Sequence, residues 1–142
     1  MSEVVRAAPS LVSDQIPPLY RYVYATAAHA VPAYKNLPNA HYNAQYGDSL
    51  WRGELQFRPS GWNDVSVRVR LNTPGEADGG LRVAVNGVVR EFEGMQWRCG
   101  DAADVTVAGV FFSTFYGGSQ PKHACPVDTC IRFREFTLHK WA

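Results

Sequence analysis

The chain has 142 residues, 46% of them hydrophobic and 13% aromatic, so it is long enough for one domain with a substantial core. Its formal net charge of +1 excludes the overall basicity typical of proteins that bind nucleic acid or a membrane surface, and we expect neither as a partner. An anionic ligand would have to be held by a local cluster of arginines. The sequence contains no run of about 18 apolar residues and therefore no predicted transmembrane helix.

Residues 1–18 form an irregular lead-in before the predicted domain, which spans residues 19–142. The apolar residues of the lead-in are interrupted by Arg6, Pro9 and Asp14, so it lacks the pattern of a signal peptide and leaves the localisation of the protein unknown. No internal repeat or further domain boundary is visible.

Strand patterns recur along the chain and helical patterns do not. Residues 19–25 alternate in polarity, residues 50–58 carry Trp51, Leu55 and Phe57, residues 105–116 form a long apolar run, and residues 129–139 alternate again. Connections rich in proline and glycine separate these segments. The pattern predicts an all-β fold, an antiparallel β-sandwich.

The clearest strand patterns lie between Asp64 and Glu93. Val65, Val67, Val69 and Leu71 alternate with Ser66, Arg68, Arg70 and Asn72, which predicts a half-buried strand with polar residues on its open face. Two further strands, residues 81–85 and 88–92, flank Asn86-Gly87, the dipeptide best suited to a type I′ turn. Pairing across this turn sets Leu81 opposite Phe92, Val85 opposite Val88 and Arg82 opposite Glu91, so the charges agree with the register.

The three cysteines do not define the compartment. Cys125 and Cys130 would bridge a short loop and leave Cys99 free, although an odd count also suits reduced thiols. No Cys-x-x-Cys motif occurs, and the four histidines (His29, His41, His123 and His139) are scattered, mostly in predicted loops, so no metal site is predicted.

Several motifs together resemble a known family. GDSLWRGELQF at 47–57, GWN at 61–63, RVRLNTPG at 68–75, VNG at 85–87 and GVFFSTFYGGS at 109–119 look like the later part of polysaccharide lyase family 14, which has fungal relatives and is similar to the family 20 glucuronan lyases. The resemblance extends over about residues 20–138. It implies a jelly roll of two curved antiparallel sheets, of the concanavalin A-like type, with a polysaccharide groove on the concave face.

The activity that the resemblance implies is β-elimination on alginate or another polyuronate, with no cofactor. Such a reaction needs a cation to neutralise the uronate carboxylate, a base to remove the adjacent proton and an acid to protonate the leaving oxygen. The family's paired active-site tyrosines match Tyr22 and Tyr24, which are therefore the catalytic candidates. The alternative, which the residues favour, is that Tyr20, Tyr22 and Tyr24 are ordinary strand residues that cover one face of a sandwich.

Arginines are the candidates for substrate binding. Arg68 and Arg70 share one face of their strand, as do Arg132 and Arg134, and the two pairs would present a cationic stripe to uronates if their strands were neighbours. Otherwise they are solvated positions on a strand.

The chain also departs from the family pattern. The family places a lysine and a Ser-x-Arg motif upstream of the tyrosine pair, but the corresponding Ala8-Pro9-Ser10 contains no such motif. We therefore expect a domain truncated on its N-terminal side, with an incomplete sandwich and unpaired strand edges. Two functions stay open: a lyase that acts on an acidic polysaccharide, and an inactive glycan-binding or vestigial β-sandwich. The family is usually secreted, and the oligomeric state is not predicted.

Overall fold

The computed structural model of the chain describes residues 22–23, 36–43, 47–98, 104, 106–112, 120–121 and 132–140. These residues contain five strands, β1 (Tyr22–Val23), β2 (Asp48–Ser49), β3 (Val65–Arg70), β4 (Gly79–Val85) and β5 (Val88–Met95). They contain no α-helix, and so none long and apolar enough to cross a membrane. The lead-in of residues 1–18, Tyr24 and the three cysteines lie outside the described residues.

Strands β3, β4 and β5 form an antiparallel sheet in that order, and β1 pairs with β2 in a second, two-stranded sheet. The predicted hairpin register is confirmed, because Leu81 is the partner of Phe92, Arg82 of Glu91 and Val85 of Val88. The strands themselves differ slightly from the prediction. β3 ends at Arg70 and not at Asn72, β4 begins two residues earlier, at Gly79, and β5 continues to Met95.

The Asn-Gly turn between β4 and β5 is also anchored to β3. Asn86 and Gly87 both adopt positive φ, at 50° and 84°, as a type I′ turn requires. The Asn86 side chain accepts a hydrogen bond from the Asp64 backbone N–H at 3.1 Å and donates to Asn63 Oδ1 at 2.7 Å. Since Asn63 is buried and also bonds the backbone of Arg58, the turn holds the entry to β3 in place.

A β-bulge lies at the other end of the hairpin. Gly80 pairs with Glu93 and Gly79 with Met95, so Gly94, at φ 103°, is the extra residue. The insertion changes which face the following residue occupies. Met95 consequently lies in the core, whereas Glu93 remains on the solvent face.

The core covers one face of the three-stranded sheet. Leu81, Val83 and Val85 of β4 and Met95 of β5 are buried there together with three residues from outside the sheet, Leu50, Trp51 and Leu55. The valines of β3 pack against this cluster from the side. Burial of each such side chain contributes roughly 1.5–3 kcal/mol, so the central strand β4 supplies much of the stability of the sheet.

One charged pair joins the core side of β5 to the preceding segments. Arg90 forms an ion pair with Glu54, whose other carboxylate oxygen accepts a hydrogen bond from Asn39 Nδ2 at 2.8 Å. The Glu54 side chain is only 16% exposed. Residues 36–43 are thus connected to the edge of the sheet through a partly buried carboxylate.

The prediction of a strand at residues 50–58 is wrong, because these residues form no strand. Trp51 and Gly53 adopt positive φ, at 52° and 76°, and the Glu54 N–H bonds to the Trp51 carbonyl at 3.2 Å. Two left-handed residues so close together form a tight turn and prevent an extended strand. The apolar residues of the segment, Trp51 and Leu55, still enter the core as the pattern indicated.

The strands predicted at residues 105–116 and 129–139 are wrong for the parts that the structure describes. Residues 106–112 and 132–140 form no β-ladder, and Glu135 has a positive φ of 57°. The side chain of Phe112 instead packs edge-to-face on Phe133 and Phe136, with ring centroids 4.7 and 5.1 Å apart. Within residues 19–25, Tyr22–Val23 is confirmed as strand.

Asn72 lies in the interior. The alternation of residues 64–72 had predicted that it would lie on the open face of the strand. Its Nδ2 donates to the carbonyls of Thr73, Glu76 and Arg98 at 2.7–2.9 Å. Its Oδ1 accepts from the backbone N–H groups of Trp97 and Arg98 at 2.7 and 2.8 Å. The side chain has no exposed surface and is fully satisfied, and it joins the β3–β4 connection to the segment after β5.

We expect Asn72→Ala to destabilise the domain by about 2–4 kcal/mol, because it leaves several partly buried backbone groups without their partner. Urea unfolding monitored by tryptophan fluorescence measures the change. Asn36→Ala is the matched control, since Asn36 is exposed, and its effect should stay within about 0.5 kcal/mol. Equal effects of the two substitutions would contradict the role assigned to Asn72.

Candidate functional site

Charged residues form two rows across the solvent face of the β3–β4–β5 sheet. In the first row Arg68, Arg82 and Glu91 are successive partners, and in the second Arg70, Gly80 and Glu93 are. Residues directly opposite in a sheet carry their side chains on the same face. The rows line a cleft of about 270 Å³, here called the arginine cleft, formed by Arg68, Arg70, Gly80, Leu81, Arg82, Glu91 and Glu93.

The carboxylates of the arginine cleft face its guanidiniums. Arg70 forms an ion pair with Glu93 through Nη2, which also donates to the Asp78 carbonyl at 2.8 Å. Arg82 Nε lies 3.5 Å from Glu91 Oε2. All four side chains are 42–66% exposed, so water screens these pairs and they orient the arginines more than they stabilise the fold.

Gly80 makes room for one of these carboxylates. A Cβ at this position would lie 2.8 Å from Glu93 Oε2, so the Glu93 carboxylate rests directly over the backbone of β4. The absent side chain is therefore part of the geometry of the cleft. It allows Glu93 to reach across from β5 to Arg70 of β3.

The first row also contains a local electrostatic conflict. Arg68 and Arg82 are Cα partners on neighbouring strands, and like charges directly opposite each other are destabilising. The three arginines and two glutamates leave one net positive charge in the cleft. Guanidinium groups bind carboxylates through charge-assisted hydrogen bonds, so this excess of arginine makes the cleft a candidate anion site.

A second cleft adjoins the first on the same face. It has a volume of about 460 Å³, and Arg82 lines both clefts. Its other lining residues include Ser66, Ala84 and Val89, the next row of partners across the sheet. The solvent face of the sheet therefore offers a strongly charged depression next to a less polar one, which suits a ligand longer than one small ion.

The connection between β3 and β4 borders the cleft and is ordered by Asp78. The Asp78 carboxylate accepts hydrogen bonds from the Thr73 hydroxyl at 2.7 Å and from the Thr73 backbone N–H at 2.6 Å. These bonds, above all that from the hydroxyl, lower the pKa of Asp78 below its ordinary value of 3.8. The Asp78 carbonyl is the group that binds Arg70, so the carboxylate and the cleft are linked through one residue.

We expect Thr73→Val to raise the pKa of Asp78 toward its ordinary value. A lowered pKa in the folded protein stabilises it above the pKa of the unfolded chain, near 3.8, and the contribution is lost as the pH falls through the folded value. The variant should therefore lose less stability between about pH 5 and pH 2 than the parent. Carboxyl carbon chemical shifts measured by NMR across this range give the pKa, and identical titration curves for Asp78 would contradict the assignment.

The structure separates the two predicted arginine pairs. Arg68 and Arg70 line the arginine cleft, whereas Arg132 and Arg134 do not. Arg134 instead stacks on Trp62, with its guanidinium carbon 4.0 Å from the ring centroid, and lies 3.7 Å from Glu135. Residues 132–140 form no strand that would place this pair in the same sheet.

The predicted tyrosines lie partly beyond what the structure describes. Tyr24 is outside the described residues, and the backbone of Tyr22 pairs with Ser49 of β2. Ser49 also pairs on its other side with His41, through reciprocal backbone bonds of 2.8 Å. Next to His41, burial and the nearby Asp48 raise the pKa of Tyr42, which favours its neutral phenol.

Arg82 and Glu91 were predicted on strands but not as part of a site, and Glu93 lay just beyond the predicted end of its strand. The signal was present in the hairpin register, which set Arg82 opposite Glu91. Extending this pairing to β3 would have required the register across residues 71–78, which contain no two-residue turn to fix it. Among the described residues no cluster of three or more potential metal ligands occurs.

The family is identified by comparison with known proteins. The family model Polysaccharide lyase 14 matches residues 17–136, most of the chain. The chain therefore belongs to the polysaccharide lyase 14 family. It is 24% identical over 130 residues to Exolysin of Paramecium bursaria Chlorella virus 1, covering 87% of this chain and 19% of that protein.

A solved structure supports the fold. The marine PL-14 alginate lyase from Aplysia kurodai matches with a TM-score of 0.61 and 20% identity, over 88% of this chain and 57% of the other. The chain thus has the predicted all-β architecture, an antiparallel β-sandwich of the jelly-roll type. It spans about a fifth of the viral protein and somewhat more than half of the alginate lyase.

Proposed function

We propose that this domain binds an acidic, uronic-acid polysaccharide through the arginine cleft. The observation that carries the proposal is the direct pairing of Arg68 with Arg82, two like charges that a ligand carboxylate would bridge. Membership of the polysaccharide lyase 14 family supports a polysaccharide as the ligand class. The similarity to an alginate lyase favours a polyuronate such as alginate, and glucuronan is a second substrate to test.

The dimensions of the solvent face suit such a polymer. The charged cleft and the adjoining, more apolar cleft share Arg82 and lie along the same sheet. A uronate unit has a carboxylate for the arginines and a less polar ring face for side chains such as Ala84 and Val89. Successive units of one chain would occupy the two clefts.

For catalysis we propose β-elimination, as the family name implies. An arginine would neutralise the uronate carboxylate. Of Tyr22 and Tyr24, one would act as the base that removes the proton from the ring carbon bearing the carboxylate, and the other as the acid that protonates the leaving glycosidic oxygen. The proton removed from the sugar ring would thus be balanced by the proton delivered to the glycosidic oxygen. Arg132 and Arg134 would contact more distant parts of the polymer.

The second candidate function is glycan binding without cleavage. Its support is the absence of a Ser-x-Arg motif at residues 8–10, where the resemblance to the lyases places one. Binding by the arginine cleft does not depend on that motif. Product formation therefore distinguishes the two functions, while both require binding.

If the domain is a lyase, we expect Tyr24→Phe to lower the rate on alginate or glucuronan by about 10²–10⁴-fold, because general acid–base catalysis contributes this much. Absorbance of the unsaturated product in the ultraviolet follows the reaction, and binding should change less than about threefold. Tyr42→Phe is the control and should retain activity. Full activity of Tyr24→Phe would contradict the catalytic assignment, and binding by the parent without product would favour the second function.

We expect Arg82→Gln to weaken alginate binding about fivefold to tenfold, because it removes a charge shared by both clefts. The remaining affinity should also depend less steeply on salt, since fewer counter-ions are exchanged. Titration calorimetry at two salt concentrations measures both effects. Arg58→Gln makes the same change at an exposed arginine outside the cleft, and an equal loss in both variants would contradict the proposed binding site.

A further inference from the structure

We propose that Glu91 and Glu93 set the specificity of the arginine cleft. They accept hydrogen bonds from sugar hydroxyls and repel polyanions of higher charge density, such as sulfated polysaccharides. This inference rests on the proposed function, since it concerns the same cleft and the same ligand class. It assigns a role to two acidic residues that would otherwise only weaken the binding of an anion.

The contacts of the two carboxylates leave them able to accept further bonds. Glu93 contacts Arg70 through Oε2, and Glu91 approaches Arg82 through Oε2 at 3.5 Å. Within the described part of the chain, neither Oε1 has a hydrogen-bond partner. The side chains of Glu91 and Glu93 are 61% and 66% exposed, so a ligand has access to these oxygens.

The position of Glu93 is imposed by the fold. Gly80 leaves the space over β4 in which the carboxylate lies, and the hairpin register places Glu93 directly opposite Gly80 on the solvent face. A side chain at position 80 would displace the Glu93 carboxylate from this position. The backbone therefore places a hydroxyl acceptor inside a site otherwise built for anions.

The charge balance of the cleft matches one kind of polyanion better than another. Three guanidiniums and two carboxylates leave a single positive charge, close to the single carboxylate of a uronate unit. The hydroxyls of the same unit are donors that the glutamates would accept. A sulfated unit carries more negative charge and fewer hydroxyls. Glu91 and Glu93 therefore repel it more strongly, and it has fewer hydroxyl donors to form hydrogen bonds with their carboxylates.

The test compares two probes of equal length, an alginate oligosaccharide and a sulfated dextran oligosaccharide, at fixed ionic strength. Dissociation constants are measured by titration calorimetry for the parent and for the double variant Glu91→Gln, Glu93→Gln. We expect the variant to bind the sulfated probe about tenfold more tightly, and alginate within about threefold of the parent. Glutamine is similar in size and still has a carbonyl acceptor, so shape and part of the hydroxyl bonding are retained.

Glu76→Gln combined with Asp104→Asn is the matched control, because it makes the same change in net charge at exposed residues outside the cleft. An equal gain for the sulfated probe in this control would overturn the inference, as would an unchanged ratio of the two affinities in the cleft variant. If either of these outcomes occurs while the parent binds alginate, the inference fails and the proposed function stands. Failure of the parent to bind alginate would overturn the proposed function, and the inference with it.

Discussion

The buried amide of Asn72 is the constraint on which the sheet and its cleft depend. It lies just beyond the last residue of β3 and fixes both the connection to β4 and the segment that follows β5. Trp97 Nε1 reinforces the same junction by donating to the Arg70 carbonyl at 2.9 Å. One fully satisfied side chain thus closes the end of the sheet where three strands meet.

The cleft is connected to this junction through the residues of the β3–β4 connection. Thr73 is held beside Asn72 and binds the Asp78 carboxylate, and the Asp78 carbonyl in turn orients Arg70. The other face of the sheet supplies apolar burial, so the solvent face tolerates arginines directly opposite each other. Stability and ligand chemistry are therefore divided between the two faces of the same strands.

Sequence reasoning succeeded where local rules determine the structure. The Asn-Gly turn fixes the β4–β5 register, and the alternation of β3 separates its valines from its arginines. It failed at Asn72, because alternation cannot show that a strand ends and that a polar side chain enters the interior. It failed at residues 50–58 because Trp51, whose type favours strands, has a positive φ in a tight turn while its side chain is buried in the core.

Only part of the candidate site could be predicted from the sequence, because the rest depends on contacts between strands that are not adjacent in the chain. Arg68 and Arg70 follow from the period of one strand, but the cleft requires the register between two strands joined by a long connection, and the reach of Glu93 across Gly80. The motifs that carry the family resemblance include Arg68 and Arg70 but neither of the two glutamates. Family resemblance therefore predicts the jelly roll more fully than the site. The candidate site is formed by rows of partners across three strands. In one row Arg68 lies opposite Arg82, an arrangement of like charges that the stability of the sheet alone would not favour.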